Sequence, residues 1–169
     1  MKRILFTLLI VAPFCLAAQT TTKTESFTVN GKVKSPVTIT LADVKKLKAY
    51  NLGDVVITNH LGEVKSTAKN LSGVLLKDVL KDIALDTDQP KLYSEYYFVC
   101  RGNDGYKVVY SWNELFNTPI GNSVYLLTEK NQETIQQMKE SILMLSSQDE
   151  RTGRRYLKNL EAITVRRAE

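Results

Sequence analysis

The chain is poor in the residues that metals and disulfides need. Its 169 residues include two cysteines, one histidine and one tryptophan. Cys15 falls in an N-terminal segment that reads as removable, which leaves Cys100 alone, and one cysteine closes no internal disulfide. A structural zinc site takes about four Cys or His ligands, and Cys100 with His60 cannot supply them. Long apolar runs are also missing. The apolar stretch at residues 4–11 is too short for a bilayer core of ~30 Å. Charge is only mildly biased, with 23 Lys and Arg against 18 Asp and Glu. No dense Lys/Arg run with interleaved aromatics occurs, so no nucleic-acid partner is expected.

What is present begins with a leader. Lys2 and Arg3 precede the apolar run, and Ala17-Ala18 closes it with small residues before Gln19. This pattern predicts a secretory signal peptide over residues 1–18, cut after Ala18. Bulky Phe14 beside Cys15 fits a lipidation box poorly. The expectation is a periplasmic or secreted protein with no membrane span after cleavage. Residues 19–25 are polar and Thr-rich and read as a short flexible leader. Residues 26–169 read as one domain, large enough to bury roughly 70% of its unfolded surface. Its stability must come from that core, because an oxidising compartment offers no benefit to a lone cysteine.

Residues 96–115 carry the strongest local pattern. Two β-prone runs, 96–100 and 106–111, flank Asn103-Asp104-Gly105, and these residue types tolerate the positive φ of a tight turn. Ser111 is placed to cap a short helix over 112–116. Upstream, strands are predicted at 26–30, 32–40, 54–60 and 64–68. A short helix over 41–47 has Thr40 as N-cap and Asp43 in its first turn. Leu75, Leu76, Val79, Leu80 and Ile83 recur at helical spacing and predict an amphipathic helix over 74–84. Downstream, 124–128 reads as a buried strand, 129–140 as a polar loop with a helical turn, and 142–145 and 160–165 as strands. The fold class is therefore α+β, a single strand-rich domain with short helices.

The element order from about residue 71 to 166 resembles the molybdopterin-binding domain of the sulfite oxidase family. The residues that carry the likeness are Gly73-Val74-Leu75-Leu76, similar to the family's Gly-Val-Pro-Leu helix start, and Asp104-Gly105-Tyr106, similar to its Asp-Gly-Tyr strand turn. They continue with Val124-Tyr125-Leu126-Leu127 and Asn131-Gln132, where the family has Asn-Gly. The closing segment is Asp149, Gly153-Arg154-Arg155 and Lys158, then Ile163-Thr164-Val165. The resemblance implies a sulfite oxidase-like fold. In catalytic members it implies a cysteine thiolate on molybdenum and a basic closing turn on the pterin phosphate.

The thiolate is where this chain departs. Cys100-Arg101-Gly102-Asn103 has the letters of the family's Cys-x-Gly-Asn motif, but it follows the helix that the motif should precede. The segment in the expected place, Ile57-Thr58-Asn59-His60-Leu61-Gly62, has no cysteine. Arg154, Arg155 and Lys158 match the closing basic turn and are the candidate cofactor-binding residues; a solvated basic turn is the competing reading. Asn59, His60, Cys100 and Tyr106 are further candidates to line a cleft. No catalytic residue and no metal ligand is assigned. Cys100 reads as a small buried hydrophobe rather than a reactive thiol.

The expected function is a secreted, non-catalytic ligand-binding or accessory module on a molybdopterin-oxidoreductase fold. No cofactor is expected, and the partner is an unidentified small ligand or cell-envelope protein. The alternative is a minimal molybdopterin-dependent oxidoreductase that holds the pterin phosphate through its C-terminal basic turn.

Overall fold

A computed structural model describes residues 22–169. The expected signal peptide, residues 1–18, and the start of the expected leader lie outside them. At the end of the leader, Thr24 N–H and Oγ1 both donate to Ser141 O, at 2.8 and 2.6 Å, and Thr24 Oγ1 accepts from Ile142 N at 2.8 Å.

One sheet has the order β2-β1-β10-β5-β6. Its strands are β1 (Ser26–Gly31), β2 (Val37–Thr40), β5 (Tyr96–Gly102), β6 (Lys107–Ser111) and β10 (Leu160–Arg167). β1 runs parallel to β10, with Thr28 opposite Ala162, and the other pairings are antiparallel. Alternation decides which face is inside. Phe27 and Val29 of β1, Phe98 and Cys100 of β5, and Val108 and Tyr110 of β6 all point into the core. The β5–β6 turn is the one expected. Gly105 has φ +83°, its N–H donates to Gly102 O at 3.0 Å, and Asp104 Oδ1 accepts from Tyr106 N at 2.9 Å.

The other sheet has the order β3-β4-β7-β8, with β9 also paired to β7. These strands are β3 (Ala49–Thr58), β4 (Val64–Leu75), β7 (Val124–Lys130), β8 (Glu133–Thr134) and β9 (Met144–Ser146). Leu71, Val74, Leu126, Leu127 and Leu145 carry the core contact from this side. Residues 129–140, expected as a loop, instead include the β7–β8 turn at Asn131-Gln132, both with positive φ of 53° and 69°.

Both short helices with good caps form as expected. Thr40 and Asp43 make a reciprocal capping box on α1 (Leu41–Lys45), and Ser111 and Glu114 make one on α3 (Trp112–Phe116). The long amphipathic helix does not form. Helix α2 covers only Leu76–Leu80, and β4 runs through to Leu75. Val74 sits between Ala49 of β3 and Leu126 of β7, so backbone pairing on both sides outcompetes the helical periodicity of its side chains. The strand expected over 32–40 is likewise shortened to β2, with Val33 forming an isolated bridge to Leu85. Mixed strands and short helices accord with the α+β class.

Candidate functional site

The region to test lies between the end of β3, where the resemblance places a ligand segment, and the basic turn near the C-terminus. The β3–β4 turn is organised by Asn59. Its Oδ1 accepts from Leu61 N and Glu63 N at 2.9 and 3.0 Å, and its Nδ2 donates to Glu63 Oε2 at 2.7 Å. Asn59 is thus occupied in building a turn. The basic segment forms a 3-10 turn, Thr152–Arg155.

These two segments are in direct contact. Thr152 Oγ1 donates to Val56 O at 2.7 Å and accepts from Thr58 N at 3.0 Å. One hydroxyl therefore serves the edge of β3 as a partner strand would. Gly153 follows, and a Cβ on it would collide with Thr58 O. Segments 58–59 and 152–153 therefore pack backbone against backbone.

The three candidate phosphate ligands part company. Arg155 turns inward. Its Nε and Nη2 donate to the two carboxylate oxygens of Asp149 at 2.7 and 2.6 Å, and Nη1 reaches Glu114 Oε1 at 3.2 Å. Its guanidinium lies 4.6 Å from the ring centre of buried Tyr110. The Asp149 hydrogen bond holds the guanidinium pKa above its ordinary value, against the opposing effect of burial. Lys158 pairs with Glu140, which also takes Lys130 at 3.1 Å. Arg154 stays at the surface, with Nη2 3.5 Å from His60 O, and its own carbonyl accepts from Tyr106 Oη at 2.7 Å. So Arg154, His60 and Tyr106 are brought together, while Arg155 and Lys158 are committed elsewhere.

Cys100 is in another place again. It is fully buried in β5, opposite Val108 and Ile163 in its neighbouring strands. Burial pushes its thiol well above the usual range, so it stays protonated. Among the described residues no group of three or more His, Cys, Asp or Glu is placed to hold a metal ion. A molybdenum-pterin group needs an available thiolate, free cations for its phosphate, and room. Cys100 is a sealed thiol, Arg155 and Lys158 are paired, and Gly153 closes on Thr58. Of the residues that the resemblance offers to that group, the thiol is sealed and two of the three cations are taken, while Arg154 stays exposed.

Sequence reasoning missed Thr152, Asp149 and Glu114 as the residues that decide this region. Gly153 and Asp149 stood in the resembling segment, but Thr152 acts on partners some ninety residues away, and no local pattern marks it.

Beside this junction runs a groove of about 570 Å³, lined by Leu52, Asp54 and Val56 of β3 and by Ser147 and Glu150. Arg151 and Arg154 border an adjoining depression. Among the described residues no helix is long and apolar enough to cross a membrane.

No family model matches the chain, and no curated protein matches it. Among solved structures it is similar to the sulfane dehydrogenase SoxCD from Paracoccus pantotrophus, with 12% identity and a TM-score of 0.58. The match covers 83% of this chain but 37% of that one, so this chain spans little more than a third of the length of its neighbour. At that identity the likeness is one of fold, and it places the chain at a distant fold relationship to that dehydrogenase.

Proposed function

We propose that this protein is a secreted or periplasmic, non-catalytic module that keeps a molybdopterin-oxidoreductase type of fold and uses it to bind a ligand or a cell-envelope partner. The observation that carries the reading is the closure of Gly153 onto Thr58 O, sealed by the two hydrogen bonds of Thr152. The diversion of Arg155 to Asp149 and the burial of Cys100 support it from two further directions.

The direct test is metal content. Protein purified from its native host and analysed by mass spectrometry is expected to hold no molybdenum, and a stoichiometric amount overturns the reading. N-terminal sequencing of the same material checks the leader, with Gln19 expected as the first residue. A second reading, a minimal molybdopterin-dependent oxidoreductase, draws on the fold likeness and on exposed Arg151 and Arg154 around one depression.

A further inference from the structure

The groove beside the junction has an uncommon wall. β3 is the outermost strand of its sheet, so one edge of its backbone has no neighbouring strand. Val56 O and Thr58 N point out along that edge, because both bond to Thr152 Oγ1. Outward groups alternate along a strand, which makes Asp54 the next outward position. That part of the edge borders the groove of about 570 Å³. The chain already pairs one end of the edge with a threonine hydroxyl, and the continuation is open.

The charge of the groove runs against the charge of the protein. The chain carries a net +5, yet Asp54 and Glu150 both line this space, Asp54 with one carboxylate oxygen accepting from Asn70 N of β4 at 3.0 Å. Neither makes an ion pair among the described residues. Asp149, on the same rim, has its charge neutralised by Arg155. Thr58, at the closed end, keeps a buried hydroxyl without a partner. An open strand edge supplies main-chain hydrogen bonds, and the carboxylates that line the groove select the side chains.

We infer that this groove takes an extended, basic peptide segment of a partner protein, added as a strand along Asp54–Val56 with its Lys or Arg side chains between Asp54 and Glu150. This rests on the non-catalytic reading above and names the partner class for the same region.

The test uses the full chain and the probe peptide Ac-Lys-Val-Thr-Val-Lys-NH2, followed by calorimetry and by amide exchange. The expected result is saturable binding with slowed exchange at Asp54 and Val56. Methylating alternate backbone nitrogens of the peptide should abolish binding, and replacing its lysines by glutamates should weaken it. Asp54→Asn with Glu150→Gln should weaken the lysine peptide about fivefold to tenfold, as expected for two exposed ion pairs. Both positions are exposed, so the variant is expected to fold, which thermal unfolding checks. No binding, or equal binding of the N-methylated peptide, overturns the inference. So does a concentration-dependent dimer that protects the same amides without peptide, since a second copy would then be the occupant. Molybdenum content on the same preparation separates the two readings. Stoichiometric metal sinks the non-catalytic reading, whereas metal-free protein that ignores the peptide sinks this inference alone.

Discussion

Arg155 and Asp149 form a two-pronged ion pair, Nε to Oδ2 at 2.7 Å and Nη2 to Oδ1 at 2.6 Å, with both side chains about four-fifths shielded from solvent. The pair is stacked over Tyr110 and tied to the α3 capping residue Glu114. It joins the β9–β10 connection to α3 and β6. Arg155, a candidate phosphate ligand in sequence, is a strut in the fold.

That geometry sets the first prediction. Arg155→Ala leaves Asp149 and Glu114 without their cation in a partly buried setting and should cost about 2–4 kcal/mol in chemical denaturation. Arg155→Lys should restore less than half, because an ammonium cannot reproduce the planar fork. Arg154→Ala should change stability by less than about 0.5 kcal/mol, as exposed substitutions usually do. Equal effects at 154 and 155 would refute the division of labour between the two arginines.

The junction between β3 and the 3-10 turn sets the second. Thr152→Val keeps the shape but removes both hydrogen bonds, and should cost about 1–3 kcal/mol. Its specific sign is faster amide exchange at Thr58, since that N–H loses its acceptor. Gly153→Ala forces a methyl group onto Thr58 O and should destabilise by about 1–3 kcal/mol, with the same local loosening. Unchanged exchange at Thr58 in both variants would show that the contact does not hold the region shut.

Cys100 sets the third. Its folded thiol pKa lies above its ordinary value near 9, because burial disfavours the thiolate. The stability it contributes is therefore fully present below about pH 9 and is lost as pH rises beyond it. Native protein that begins at Gln19 should resist a disulfide reagent at pH 8 for hours and show one reactive thiol on unfolding. Tyr110, also raised by burial, adds to the alkaline loss, so Cys100→Ala should flatten the slope between pH 9 and 11 without removing it. Truncation itself should cost about 1–2 kcal/mol. Rapid labelling of the folded protein would contradict a sealed thiol.

Much of the local structure was legible in advance. Asn103-Asp104-Gly105 demanded a turn, Thr40 and Ser111 demanded helix starts, and the alternation in 96–102 chose a buried face for Cys100. The element order also pointed to a relationship of fold, and the misplaced cysteine warned against carrying chemistry with it. These signals are short-range, because φ preference, capping and strand alternation act over two to four residues. By itself, then, the sequence determined where the chain turns, which strand faces are apolar and that residues 57–62 hold no cysteine.

The rest was decided only by tertiary contact. Val74 and Leu75 became strand against their helical spacing, because β7 paired with both and β3 with Val74. Arg154, Arg155 and Lys158 look alike in sequence, yet one stays at the surface, one is locked to Asp149 and one is drawn to Glu140. Thr152 meets Val56 and Thr58 across more than ninety residues, and that contact pins the basic turn to β3. Whether a charge is free, or a cleft open, depends on which distant groups folding brings within about 3 Å, and no local pattern of residues carries that information.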